Sequence, residues 1–134
     1  MGQKSREKIM SWIVTNIEWV LIVCGALTAT MLLPMLAPRF AFNNMFGEMA
    51  EGPLGDLLMR NWGQLIFATG LLLIYAAYHD ESRLPILLFV SFGKLTFATL
   101  VLSKGARYAR KPAILIAVGD LTMVGLFLWY LMSR

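Results

Sequence analysis

Two charged residues stand alone inside long apolar stretches, and their positions suit chemistry better than any others in the chain. Lys94 is the only charge between Leu84 and Ser103, and Asp120 is the only charge between Pro112 and Ser133. Each stretch is about 20 residues long, enough for one helical crossing of a bilayer. A lone ionisable group at the centre of a bilayer costs roughly 2.5–3.5 kcal/mol on insertion scales, so it normally faces protein and finds a partner. Both residues lie about halfway along their stretches. Antiparallel neighbours joined by a short turn hold such groups at similar depth. The spacing therefore predicts a buried Lys94–Asp120 ion pair with the rest of the bundle arranged around it. Such a pair has two uses. It can receive the head of a ligand or pass a proton, or it can specify which helix packs where.

Three further ionisable residues lie inside or beside apolar stretches: Glu18, Arg60 and His79. Together with Lys94 and Asp120 they form a candidate intramembrane polar cluster. Lys94 has a four-carbon stem that lets it reach toward neighbours above or below its own level. Nucleophilic catalysis has little support. Cys24 sits between Val23 and Gly25 in mid-helix, where burial blunts a thiol. His79 at a helix end reads as an interfacial residue rather than a general base. No phosphate-binding loop, dinucleotide fingerprint, paired-cysteine motif or His-Glu-x-x-His is present. The chain has one cysteine and one histidine, which supply neither a disulfide nor a tetrahedral metal site. Its nine methionines are scattered and read as packing. No intrinsic cofactor or metal is expected.

The elements that must carry these residues follow from composition. The chain is 58% hydrophobic and only 15% charged, against about 25% charged in soluble domains. Its mean hydropathy is +0.66. A single all-α membrane domain over residues 1–134 is expected, with four spans at about 12–36, 60–79, 84–103 and 112–132. The net charge of +4 arises from basic clusters near span ends. These read as topology signals and headgroup contacts, not as a nucleic-acid surface. A basic tail with Lys4, Arg6 and Lys8 precedes the first span. That order also suits a cleaved signal peptide. The uncharged portion from Trp19 to Pro38 is too long for one, and no Ala-x-Ala site closes it.

Within the first span, Gly25 and Ala29 form a small-xxx-small pair that lets another helix approach closely. Pro34 and Pro38 are expected to end it. Residues 39–60, where Phe40, Phe42, Met45 and Phe46 alternate with polar residues, read as an amphipathic loop at the interface, with its aromatics dipped into the headgroup region. Its expected role is to anchor or lid the bundle. Gly52-Pro53 is a stop-and-restart signal, so the second helix is expected to begin near Leu54, ahead of the membrane. Gly63 and Gly70 share a face of that helix. Ala113, Ala117 and Asp120 share a face of the fourth, which should pack inward. Trp62, Tyr75, Tyr78, Trp129 and Tyr130 lie toward span ends, as an aromatic belt requires, and Arg134 is expected at the far interface.

Four spans put both termini on one side. Basic residues are almost evenly divided between the sides: Lys4, Arg6, Lys8, Arg83 and Arg134 against Arg39, Arg60, Lys104, Arg107, Arg110 and Lys111. The usual dominance of the first helix favours cytoplasmic termini, whereas the Lys104–Lys111 cluster favours the reverse.

The sets Arg60-Asn61-Trp62-Gly63, Gly70-Leu71-Leu72-Leu73 and Arg83-Leu84-Pro85, with Lys94 and Asp120, resemble the DoxX-like group of small bacterial membrane proteins. The resemblance runs from the first helix to the C-terminus, although the Phe-rich segment after the first span does not match the group. It implies a four-helix bundle in a bacterial inner membrane. It also implies association with membrane redox enzymes, since founding members are subunits of a thiosulfate:quinone oxidoreductase. It carries over no catalytic residue. The expected function is thus a non-catalytic accessory subunit or binding module for a lipid-like or quinone-like molecule or a larger membrane complex. A small transporter or proton conductor using the same charges is the alternative. Small residues on exposed apolar faces predict self-association or docking to a larger membrane assembly.

Overall fold

A computed structural model describes residues 2–133. Arg134, expected at an interface, lies outside the described residues. The architecture is all-helical, and four helical stretches are long and apolar enough to cross a membrane: Ile17–Leu36, Gly52–Tyr78, Asp80–Ser103 and Pro112–Ser133. The element order is α1 (Gln3–Thr15), α2 (Ile17–Ala29), α3 (Leu32–Leu36), α4 (Pro38–Phe46), α5 (Gly52–Tyr78), α6 (Arg83–Ser103) and α7 (Pro112–Ser133). Short 3₁₀ turns at Asp80–Ser82 and Gly105–Arg107 precede and follow α6.

The first stretch differs from the expected helix over 12–36. Helix begins at Gln3, so the basic tail is itself helical and exposed. It breaks at Asn16, whose side-chain amide donates to the Trp12 carbonyl at 2.9 Å. Asn competes for local carbonyls in this way and disturbs helix interiors. A second break falls at Thr30 and Met31, between α2 and α3. Pro34 explains its place. A proline ring lacks an N–H and collides with the carbonyl four residues earlier, which here is that of Thr30. The disruption thus appears one turn before the proline. Thr30 turns its hydroxyl back to the Leu27 carbonyl at 2.5 Å.

The segment at 39–60 is largely helical rather than a loop. Pro38 opens α4, and Gly47 closes it in the left-handed conformation (φ +73) that favours glycine. Phe42 and Phe46 are half-buried against other aromatic rings. Phe42 meets Trp62 at 5.3 Å between ring centroids, and Phe46 meets Phe97 at 6.5 Å and Tyr108 at 5.3 Å. Phe40 alone of the three is well exposed. The second span starts at Gly52, ahead of the expected position near Leu54.

Packing is strongest in two helix pairs, α2 with α5 and α6 with α7. The first pair rests on glycine. A Cβ at Gly70 would lie 2.6 Å from both the Ala29 nitrogen and the Gly25 carbonyl oxygen, so the two backbones nearly touch. Gly63 meets the α3 backbone in the same manner, at Met35. The second pair rests on Ala98, Ala113 and Ala117, all fully buried. The face carrying Ala113 and Ala117 therefore packs inward, as its spacing predicts. A core of Ile17, Leu21, Leu73, Leu87, Val90 and Phe127 joins α2, α5, α6 and α7. Cys24 belongs to the same buried cluster.

Candidate functional site

The Lys94 ammonium is the centre of the site. Its Nζ donates to Asp120 Oδ1 at 2.8 Å and to Thr28 Oγ1 at 3.1 Å. Its side chain is 8% exposed and that of Asp120 13%. Three helices meet at this one group: α6 supplies the ammonium, α7 the carboxylate and α2 the hydroxyl. The predicted pair is present. Thr28 is a third member that the sequence did not single out. No other described residue engages the remaining N–H of Lys94 or Asp120 Oδ2.

These groups form one wall of a cavity of about 650 Å³. That volume lies within the range of small-molecule sites, roughly 300–1,000 Å³. Apart from Lys94, Asp120, Thr28, Thr30 and Thr69 its lining is apolar or carries only an indole N–H, with Trp62, Ile66, Leu72 and Phe97 among the contributors. Gly93 and Gly119 also line it, and a Cβ at either would meet nothing within 4 Å. Polar groups at one place in an otherwise greasy chamber fix the orientation of a ligand without themselves being a catalytic set. A second cavity of about 380 Å³ lies under α4, lined by Phe42, Phe46 and Lys104 among others. Trp62 and Phe97 belong to both linings, their ring centroids 5.8 Å apart.

The other three members of the expected cluster lie elsewhere. Glu18 is exposed and reaches only Arg83, at 4.0 Å. Arg60 donates to Asp56 Oδ2 and to the Met35 carbonyl, both at 2.9 Å, so it ties the end of α3 to α5. His79 stacks on Tyr75 at 3.9 Å, and its Nδ1 contacts the Tyr75 carbonyl at 3.0 Å. A carbonyl only accepts, so Nδ1 carries the proton in that contact. None of the three contacts Lys94 or Asp120. The mid-chain cluster is therefore a triad of Lys94, Asp120 and Thr28.

Two polar nodes were not foreseen. Arg83 is buried at the turn between α5 and α6, bonded to the Ala76 and Ala77 carbonyls, to Asp80 and to Tyr130. Glu48, after α4, takes a two-pronged contact from Arg107 at 3.1 and 2.6 Å and a hydrogen bond from the Tyr108 hydroxyl at 2.8 Å. It clips the segment between α4 and α5 to the turn between α6 and α7. The Arg107 hydrogen bonds, then that of Tyr108, hold the Glu48 carboxyl below the usual range, while burial opposes them slightly. The same contact pushes the Tyr108 hydroxyl up. A depressed carboxyl pKa adds stability above the unfolded value, about 4.3. That contribution is lost as pH falls through the folded value. The clip should therefore hold at neutral pH and open in acid, below about pH 4. The Arg107 Nε–H resonance, followed by NMR, should move on acidification in the wild type and stay put in Glu48→Gln.

The fold and site together define a class: a small all-helical protein with four membrane-length apolar helices and a buried ion pair on the wall of an apolar cavity. Comparison with protein-family models, curated proteins and solved structures gave no match.

Proposed function

We propose that this chain is a non-catalytic integral membrane protein that binds a lipid-like or quinone-like molecule and serves as an accessory subunit or binding module of a larger membrane complex. In this reading the four long helices cross the bilayer antiparallel, up and down. The α4 segment lies at one interface as a lid, and both termini are cytoplasmic. The observation that carries the reading is the meeting of Lys94, Asp120 and Thr28 at the wall of the 650 Å³ cavity. Intramembrane charges are functional candidates by default, and here they have a chamber to serve. A DoxX-like role beside a membrane redox enzyme suits the same arrangement. Proton conduction is less well supported, because a relay needs successive titratable groups. Among the described residues, none beyond Lys94 and Asp120 bonds to the triad.

Gentle detergent extraction followed by mass spectrometry of bound small molecules and companion proteins tests this directly. The decisive variant is Gly93→Leu. Its side chain would enter the cavity with no backbone in the way, and replacing a helical glycine adds roughly 0.5–1 kcal/mol of helix propensity. Gly93→Leu should keep or raise the melting temperature while the copurified ligand falls about tenfold, which corresponds to a loss of about 1.4 kcal/mol. Undiminished ligand in a folded variant would place binding outside this cavity.

A further inference from the structure

The chemistry of the cavity's polar end selects among membrane-soluble molecules. This inference rests on the binding reading above and narrows it. The Lys94 charge is already matched by a carboxylate at 2.8 Å, so the polar end is neutral overall. A phosphate or carboxylate head placed there would face Asp120 at close range in a medium of low dielectric, where like charges repel strongly. A quaternary ammonium head would face Lys94 in the same way. An uncharged head meets neither penalty.

The open valences are equally specific. Lys94 keeps one N–H beyond those given to Thr28 and Asp120, and Asp120 keeps Oδ2. One is a donor and the other an acceptor. A hydroxyl accepts from the first and donates to the second. A ketone or an ether accepts only, and leaves the carboxylate oxygen unanswered in a dry site. Entry is also constrained. The large exposed side chains of the lining, Leu27, Leu65, Leu72, Phe89, Phe92 and Leu115, are all apolar and come from all four long helices, and the exposed polar member, Thr30, gives its hydroxyl to the Leu27 carbonyl. A molecule arriving through that rim comes from the acyl-chain region rather than from water.

We infer that the cavity is a site for an uncharged, hydroxyl-headed amphiphile that enters sideways from the bilayer and hydrogen-bonds through its hydroxyl to both Lys94 and Asp120. A long-chain alcohol and a long-tailed quinol share this chemistry. Phosphate-headed lipids are excluded, and the oxidised quinone binds less well than the quinol.

Trp62 on the cavity wall gives a readout. Protein in lipid nanodiscs is titrated with 12-bromododecan-1-ol, with its methyl ether and with 12-bromododecyl phosphate. Bromine quenching of Trp62 is taken as the difference between wild type and Trp62→Phe. The alcohol should bind at least about tenfold more tightly than either other probe, since a site built around a hydroxyl rejects analogues that lack it. Decyl quinol should displace the bromoalcohol at lower concentration than decyl quinone. A quinol that also outcompetes the bromoalcohol fits a quinol as the resident ligand, a quinol weaker than the bromoalcohol fits an aliphatic alcohol, and equal displacement by quinol and quinone contradicts the hydroxyl argument. Phosphate binding as tight as alcohol binding overturns the inference and leaves the cavity occupied, so the broader reading stands. Failure of all three probes to quench Trp62 removes both. Asp120→Asn supplies the second test. With the carboxylate charge gone, the preference should invert toward the phosphate by about tenfold. A folded Asp120→Asn that still refuses phosphate contradicts the charge argument. Should that variant not fold, the wild-type preference alone decides.

Discussion

Lys94→Met should destabilise the protein by roughly 3 kcal/mol or more, and Asp120→Leu by a similar amount, because each leaves a buried charge without its partner. The double variant Lys94→Met with Asp120→Leu should regain most of that loss. Replacing both members of a buried pair by apolar groups of similar volume is often neutral or stabilising. The asymmetry follows from desolvation. Two charges 2.8 Å apart cancel much of each other's cost in low dielectric, and a lone one must recover its cost by changing protonation or by admitting water. Thr28 loses a hydrogen bond when Lys94 is removed, but its hydroxyl can turn back on its own helix, so its share is small.

Cys24 provides the measurement. It is the only cysteine and it is buried in the core, so its rate of alkylation in detergent follows opening of the bundle. The singles should label much faster than wild type, and the double should label near the wild-type rate. Wild-type labelling in both singles would mean that the pair is not dry. The double variant also separates the two roles of the pair. If it folds and still retains its ligand, the pair serves helix register alone. If it folds empty, Lys94 and Asp120 are contacts of the ligand.

The pair could be read from the chain because charge is conspicuous in an apolar run, and depth along a helix is a one-dimensional quantity that residue counting gives. Facing is not. Glu18, Arg60 and His79 stood near the same stretches, yet helix rotation and the position of breaks send them to Arg83, Asp56 and Tyr75. Thr28 was hidden for a different reason. Threonine in an apolar helix satisfies itself by bonding the carbonyl four residues back, as Thr69, Thr96 and Thr122 do. Nothing local marks the one threonine that turns to Lys94 instead. Glycine spacing was more informative at the α2–α5 contact, although Gly93 and Gly119 meet no neighbour. Gly25 and Gly70 stand where two backbones meet. Pro34 was equally visible. The break it causes was expected at the ring and lies a turn earlier, at the carbonyl the ring displaces.

Arg83→Met should be the most damaging substitution outside the cavity, at roughly 3 kcal/mol. Helices end with carbonyls that have no partner in the helix, and in the last turn of α5 Ala76 and Ala77 are fully buried. Arg83 answers two of those carbonyls, Ala76 and Ala77, each at 2.8 Å. Its third nitrogen reaches Asp80 at 3.0 Å and the Tyr130 hydroxyl at 3.2 Å. One guanidinium thus joins the end of α5, the following turn and α7. Each buried polar group left unanswered costs about 1–3 kcal/mol, and two carbonyls are at stake. Arg83→Lys should recover less than half of the loss. An ammonium is a point donor, and it lacks the planar fork that serves two carbonyls and a hydroxyl at once. The acidic neighbours contribute differently. Asp80 is 71% exposed and Glu18 66%, and exposed ion pairs contribute about 0–1 kcal/mol. Asp80→Asn and Glu18→Gln should therefore leave the melting temperature within about four degrees of wild type. The Arg83 role as a helix cap predicts this ranking: methionine worst, lysine intermediate, either acid variant near neutral. A ranking in which Asp80→Asn matched Arg83→Met would make the contact an ion pair first and a cap second. Cys24 alkylation applies here too, and should accelerate in the same order.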